Sequence, residues 1–283
     1  MWTEPTTIEF NDSLMAGAAA VAYFLLLAAG TVTALILLAR GLRNPSPWDS
    51  LAKTLQNRAW TWMDGGRILG VQLLFLFIAS LIAHFLSSAP PALMMITETL
   101  LFDVAGLAFL WLYLRRRKLS WREIFGAPAM TLGRSFRAGS MFYLALLPVL
   151  VFTSLVYQGI LSVNGYPPSL QEVALLLSKD HPLWIRLYMV LLALVFAPAF
   201  EECLFRGIAL PLFARRFGVG PAILITSLVF GLIHFHLPSF APLCVVASAF
   251  SLAYLYSGSL WVPIIMHSLF NGVNIALLIL ITP

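Results

Sequence analysis

A few ionisable and amide side chains interrupt long apolar stretches of this chain: Glu201 and Glu202 side by side, His234, His267 with Asn271, and Asp103. At the centre of a bilayer each such charge costs at least about 2.5–3.5 kcal/mol, so each needs a reason. Glu202 and Arg206 stand one helical turn apart with the acid on the N-terminal side, which suits a neutralising ion pair. Glu201 is turned about 100° away from that pair and has no partner within its own helix. A carboxylate left in that position is tuned by its surroundings toward general-base chemistry.

His234 is the predicted neighbour of Glu201. The two lie symmetrically about the Phe217–Gly218 step, inside a turn running from Arg215 to Pro221. In an antiparallel helical hairpin, residues equidistant from the turn share a depth, here about 24 Å from it, or less if Pro211 bends the helix. Phe230, one turn before His234, is placed to buttress the imidazole, while His236 points the other way and reads as interfacial. His267 and Asn271 present an imidazole and a carboxamide on one helix face. Amide hydrolysis needs an activated water, an oxyanion stabiliser and a proton for the leaving amine. Glu201 and His234 can supply the base and acid, and His267 with Asn271 the donors. Glu201, His234 and His267 are equally an oxygen–nitrogen–nitrogen set for catalytic zinc with water in the fourth position. There is no His-Glu-x-x-His, which excludes a thermolysin-like site. Cys203 lies in apolar surroundings, where a thiol is inert.

The elements that hold these residues must be membrane helices. Hydrophobic residues make up 60% of the 283 and charged residues only 10%, against about 25% charged in soluble domains. Mean hydropathy is +0.91. Eight apolar segments approach the length needed to span about 30 Å of hydrocarbon; they lie near 14–39, 68–86, 92–114, 139–163, 183–210, 219–236, 241–257 and 260–282. The expected fold class is all-α, a polytopic transmembrane helical bundle of about eight spans.

Charge placement gives an orientation. The 40–67 and 115–138 loops and the end of the fifth segment hold fifteen of the 17 Lys and Arg residues on one side, leaving Lys179 and Arg186 on the other. Positive-inside counting makes the fifteen-residue side cytoplasmic and puts both termini outside. The net charge of +5 is thereby a topology signal and implies no nucleic-acid partner. The acidic stretch from Met1 to Asp12 is unlike a signal-peptide n-region, so the first segment is expected to remain in the mature chain. Residues 48–63 carry apolar side chains at helical spacing and read as a cytoplasmic interfacial helix. A short outer helix is expected over 169–180. The chain divides into an N-terminal transmembrane region, 1–138, with three spans, and a C-terminal core, 139–283, that carries the polar residues.

The run from Ala197 to Gly207 resembles the Glu-Glu-x-x-x-Arg signature of the CAAX protease and bacteriocin-processing (CPBP, or Abi) family. Phe230 to His234 resembles its Phe-x-x-x-His motif, and His267 to Asn271 its His-x-x-x-Asn/Asp motif, in the same order within 183–276. The resemblance implies an intramembrane endopeptidase similar to type II CAAX prenyl endopeptidases. In that frame Glu201 activates water with His234 as partner, and His267 and Asn271 stabilise the oxyanion. Glu202, Arg206 and Phe230 support them. The implied substrate is a membrane-anchored or lipidated peptide met within the lipid bilayer, the plasma membrane being the expected location. Two rival classes share the buried Glu and His residues: a proton-coupled transporter, and a non-cleaving immunity or scaffold protein of the same fold.

Overall fold

A computed structural model describes residues 7–43, 48–85, 91–120, 130–166 and 182–281, and no strand occurs among them. The helices are α1 (Thr7–Arg43), α2 (Trp48–Gln56), α3 (Trp62–Phe85), α4 (Pro91–Thr99), α5 (Ala105–Arg116) and α6 (Leu132–Val163). They continue with α7 (Leu183–Leu191), α8 (Ala197–Glu202), α9 (Leu210–Phe217), α10 (Val219–Leu232), α11 (Phe240–Ser257) and α12 (Trp261–Ile281). Some of these are pieces of one rod. A π-helical segment, Leu100–Val104, joins α4 to α5, and two more, Leu192–Phe196 and Cys203–Ala209, join α7, α8 and α9. Seven helical stretches are long and apolar enough to cross a membrane, which makes this an integral multi-pass protein.

The sixth apolar segment is shorter than its hydropathy suggests. It ends at Leu232 instead of 236, and its 14 residues rise only about 21 Å. The cause is local. His234 turns its own Nδ1 onto the Phe230 carbonyl at 2.7 Å, taking the acceptor that the next helical N–H would have used. Phe235 then adopts a left-handed conformation at φ 47°, which a bulky residue seldom does. His234 therefore stands in the turn after α10, not inside a span.

Prolines explain where the rods loosen. Pro198 has no N–H, so it frees carbonyls one turn back, at Leu194 in α-helical and Ala193 in π-helical register. Both are claimed by α12: Ser268 Oγ donates to Leu194 O at 2.7 Å and Asn271 Nδ2 donates to Ala193 O at 2.8 Å. Pro211 likewise frees the Gly207 carbonyl, which accepts from the indole of fully buried Trp60 at 2.7 Å. Pro148 frees Leu144 O within α6, and there Gly30 lets α1 approach so closely that any β-carbon would collide with that carbonyl.

The helix expected near 48–63 forms as α2, with a different partner from the one foreseen. Leu55 and Trp60 join a core cluster with Leu110, Leu114, Leu210 and Tyr254. Gln56 Nε2 donates to Ala214 O at 3.0 Å, and Arg215 donates to the carbonyls of Gln56, Arg58 and Trp60. The segment thus caps the end of α9 and packs on protein. Asp64, fully buried at the start of α3, accepts from Thr61, Tyr113 and Arg117 and fastens α3 to the end of α5. The outer helix expected over 169–180 lies outside the described residues.

Candidate functional site

The polar residues of the C-terminal half converge from four elements. Glu201 and Glu202 end α8, Arg206 sits in the π segment after it, Phe230 is near the end of α10, and His267 with Asn271 comes from α12. The expected Glu202–Arg206 pair forms at 2.9 Å between side chains that are 0% and 2% exposed. Arg206 also donates to Ala247 O at 2.8 Å. Its guanidinium lies 5.0–5.8 Å from the ring centres of Phe205, Phe230 and Phe250, a cage that offsets the loss of water around the cation.

Glu202 has a second partner that spacing along one helix could not reveal. His267 Nδ1 donates to Glu202 Oε1 at 2.9 Å. A carboxylate paired with arginine only accepts, so the proton of neutral His267 is fixed on Nδ1 and the lone pair on Nε2. That Nε2 stands 3.9 Å from Glu201 Oε2. Glu201 Oε2 is itself shut from solvent without a hydrogen bond. The two adjacent glutamates are thus unlike: Glu202 is anchored through Oε1 by a cation and an imidazole, with its Oε2 buried and unbonded, whereas Glu201 has no such anchor at its own buried Oε2.

His234 enters by another route. Its ring packs on Phe230 at 4.8 Å, and Phe230 also meets the His267 ring at 5.9 Å. Phe230 thus touches both imidazole rings. Because a carbonyl only accepts, His234 Nδ1 carries the proton toward Phe230 O, leaving Nε2 as an acceptor. Among the described residues no hydrogen bond or ion pair joins His234 to Glu201; the imidazole against Glu201 is that of His267. Asn271 keeps one amide N–H after its bond to Ala193 O.

The zinc set of Glu201, His234 and His267 can be tested on geometry. Among the described residues no three His, Cys, Asp or Glu side chains come together closely enough to hold a metal ion. These residues do not fit a resident metal as they stand. His236 pairs with Ser239 at 2.7 Å, apart from the site. Cys203 is buried and free.

Two buried polar residues of the N-terminal half, Asp103 and Gln72, lie in elements that pack near α8. Asp103 lies in the first π segment, whose Phe102 packs edge-on against Phe200 of α8 at 5.2 Å. Gln72 of α3, 2% exposed, has neither side-chain nitrogen nor oxygen bonded. Its place in an apolar span is the signal the sequence carries for it.

Residues 182–273 match the family model of type II CAAX prenyl endopeptidase Rce1-like proteins. Neither the curated proteins nor the solved structures returned a significant match to the chain.

Proposed function

We propose, from an Rce1-like region set within a helical membrane bundle, that the protein is an intramembrane endopeptidase acting on a membrane-anchored or lipidated substrate of the prenylated CAAX type. The observation that carries this reading is the asymmetry of the two glutamates. Glu202 is anchored through Oε1 by Arg206 and His267, while Glu201 has neither a cation nor a hydrogen bond at its buried Oε2, which stands 3.9 Å from the His267 ring.

Glu201 takes a proton from a water that attacks the scissile carbonyl carbon. The tetrahedral oxyanion is met by the remaining N–H of Asn271, while the Nε2 lone pair of His267, oriented through Glu202, accepts the second hydrogen of the attacking water. As the C–N bond breaks, the abstracted proton passes to the leaving amine, directly or through His234 Nε2. Every charge in the cycle is generated and neutralised inside the site, as a low-dielectric setting requires. Arg206 and its aromatic cage position Glu202 and do not touch substrate.

The test uses purified protein in liposomes, wild type beside Glu201→Gln, given a farnesylated CAAX peptide and a panel of unprenylated membrane-anchored peptides, read by mass spectrometry. Cleavage by wild type alone is the expected result. Cleavage by neither protein on any substrate would move the assignment to a non-cleaving scaffold, and equal cleavage by both would remove Glu201 from the chemistry.

A further inference from the structure

One hydrogen bond ties the N-terminal half directly to the rod that carries the two glutamates. Trp60, in the connection between α2 and α3, is 0% exposed, and its indole N–H donates to Gly207 O at 2.7 Å. The connection is fixed on both sides of the ring. Arg215 donates to the Trp60 carbonyl at 2.8 Å, and Thr61 donates its N–H to Asp64 at 2.9 Å. Asp64 is held in turn by Tyr113 and Arg117 at the end of α5. Trp60 also shares a core cluster with Leu110, Leu114 and Leu210.

Gly207 is an acceptor that its own helix cannot serve. It is buried inside the π segment Cys203–Ala209, directly after Arg206. In α-helical register its carbonyl would accept from residue 211, which is Pro211 and has no N–H. A buried carbonyl must find another donor. Within the helix it would have to draw on the next turn, where Leu210 N–H closes the π turn onto Phe205 O. Diverting that N–H would undo the turn. Trp60 satisfies Gly207 from outside the helix and leaves Leu210 to Phe205.

We propose that Trp60 is a positioning residue: by holding the Gly207 carbonyl, its indole keeps Cys203–Ala209 in π register, and that register aims Arg206 at Glu202 and, through Glu202, orients His267. Each link is a short hydrogen bond: Trp60 to Gly207 at 2.7 Å, Arg206 to Glu202 at 2.9 Å, and His267 to the same Glu202 oxygen at 2.9 Å. A π turn holds one more residue than an α turn, so tightening it rotates the side chains on one side by up to about 100° against the other. Arg206 tolerates little of that. Its guanidinium is fixed by Ala247 O at 2.8 Å and lies among the rings of Phe205, Phe230 and Phe250.

The effect on catalysis rests on the peptidase reading; the hold on the π segment does not. Trp60→Phe keeps an aromatic ring in the core and removes the donor. Pro211→Ala restores an N–H one turn after Gly207, so the carbonyl is satisfied within its own helix. With the farnesylated peptide in liposomes, Trp60→Phe should lower kcat about ten- to a hundredfold with KM unchanged. Pro211→Ala alone should stay near wild type, and Trp60→Phe/Pro211→Ala should recover most of the rate. A double variant no better than Trp60→Phe would mean that the ring acts by packing alone and would overturn the proposal. Unaltered kcat in Trp60→Phe would do the same. Should Trp60→Phe fold poorly by itself, the double variant carries the test: it must elute as wild type does on gel filtration and cleave near the wild-type rate, and failure in either overturns the proposal.

A second measurement reads the segment without cleavage. Cys203 opens the π segment and is buried, and Cys244→Ala leaves it the one thiol in the chain. In that background, maleimide labelling of Cys203 in detergent should be several-fold faster in Trp60→Phe than with Trp60 present, and slow again when Pro211→Ala is added. Equal labelling in all three would mean that the π segment holds without Trp60, and the proposal would fall. If wild type cleaved no substrate, the peptidase reading would fall, and the labelling rates would still decide whether Trp60 holds the segment.

Discussion

Asn271 holds the Ala193 carbonyl at 2.8 Å, and Pro198 is the reason that carbonyl needs a partner. One turn earlier on α12, Ser268 claims Leu194 O at 2.7 Å. A proline three residues before Glu201 thus opens the backbone of one helix and binds it to the helix carrying His267. The spacing of the His-x-x-x-Asn motif sets this join as well as any chemistry.

The join separates two substitutions that would otherwise look alike. Ser268→Ala leaves Leu194 O without its side-chain donor, a loss of about 1–3 kcal/mol in stability, and should leave kcat per folded molecule near wild type. Asn271→Leu strands Ala193 O at similar cost and also removes the donor proposed for the oxyanion, so kcat should fall about 10²–10³-fold. Thermal unfolding in detergent and peptide cleavage, run on both variants, would show the split; equal kcat losses would mean that Asn271 acts only as a strut.

The buried Glu202–Arg206 pair gives a larger structural penalty. Arg206→Met leaves Glu202 ionised, fully buried and held only by His267, at a cost of about 3–5 kcal/mol. We expect the variant to express poorly or unfold well below wild type. Glu202→Gln in the same background should recover part of the stability by removing the stranded charge, but not activity, because His267 loses the carboxylate that fixes its tautomer.

The helical, membrane-spanning class was legible because composition and hydropathy report it directly. So was the Glu202–Arg206 pair, since four residues along one helix fix a distance. The Glu202–His267 bond was not: the two are joined across separate helices, and relative rotation of helices is set by packing. His234 misled for a different reason. Equal depth from the turn was computed on an unbroken helix, and the side chain of His234 itself ends that helix by capturing Phe230 O. The role of α2 also escaped, because an apolar stripe reads the same facing lipid or facing α9.

Gly30 offers a probe remote from the site. A β-carbon there would collide with Leu144 O and come within 3.1 Å of the Pro148 ring. Gly30→Leu should push α1 off α6 and destabilise the protein by about 1–3 kcal/mol. The protein that remains folded should cleave at the wild-type rate, since among the described residues no side chain of α1 is hydrogen-bonded to Glu201, Glu202, His267 or Asn271. A fall in kcat without loss of stability would show that α1 shapes the cavity.

Chelation distinguishes the two hydrolytic schemes that the sequence leaves open. A catalytic zinc needs three protein donors each at about 2.0–2.2 Å, and among the described residues no such trio converges. We therefore expect cleavage in liposomes to persist after dialysis against a strong chelator. Loss of activity that added zinc restores would mean that these side chains rearrange around a metal, and water activation would pass from Glu201 to the ion.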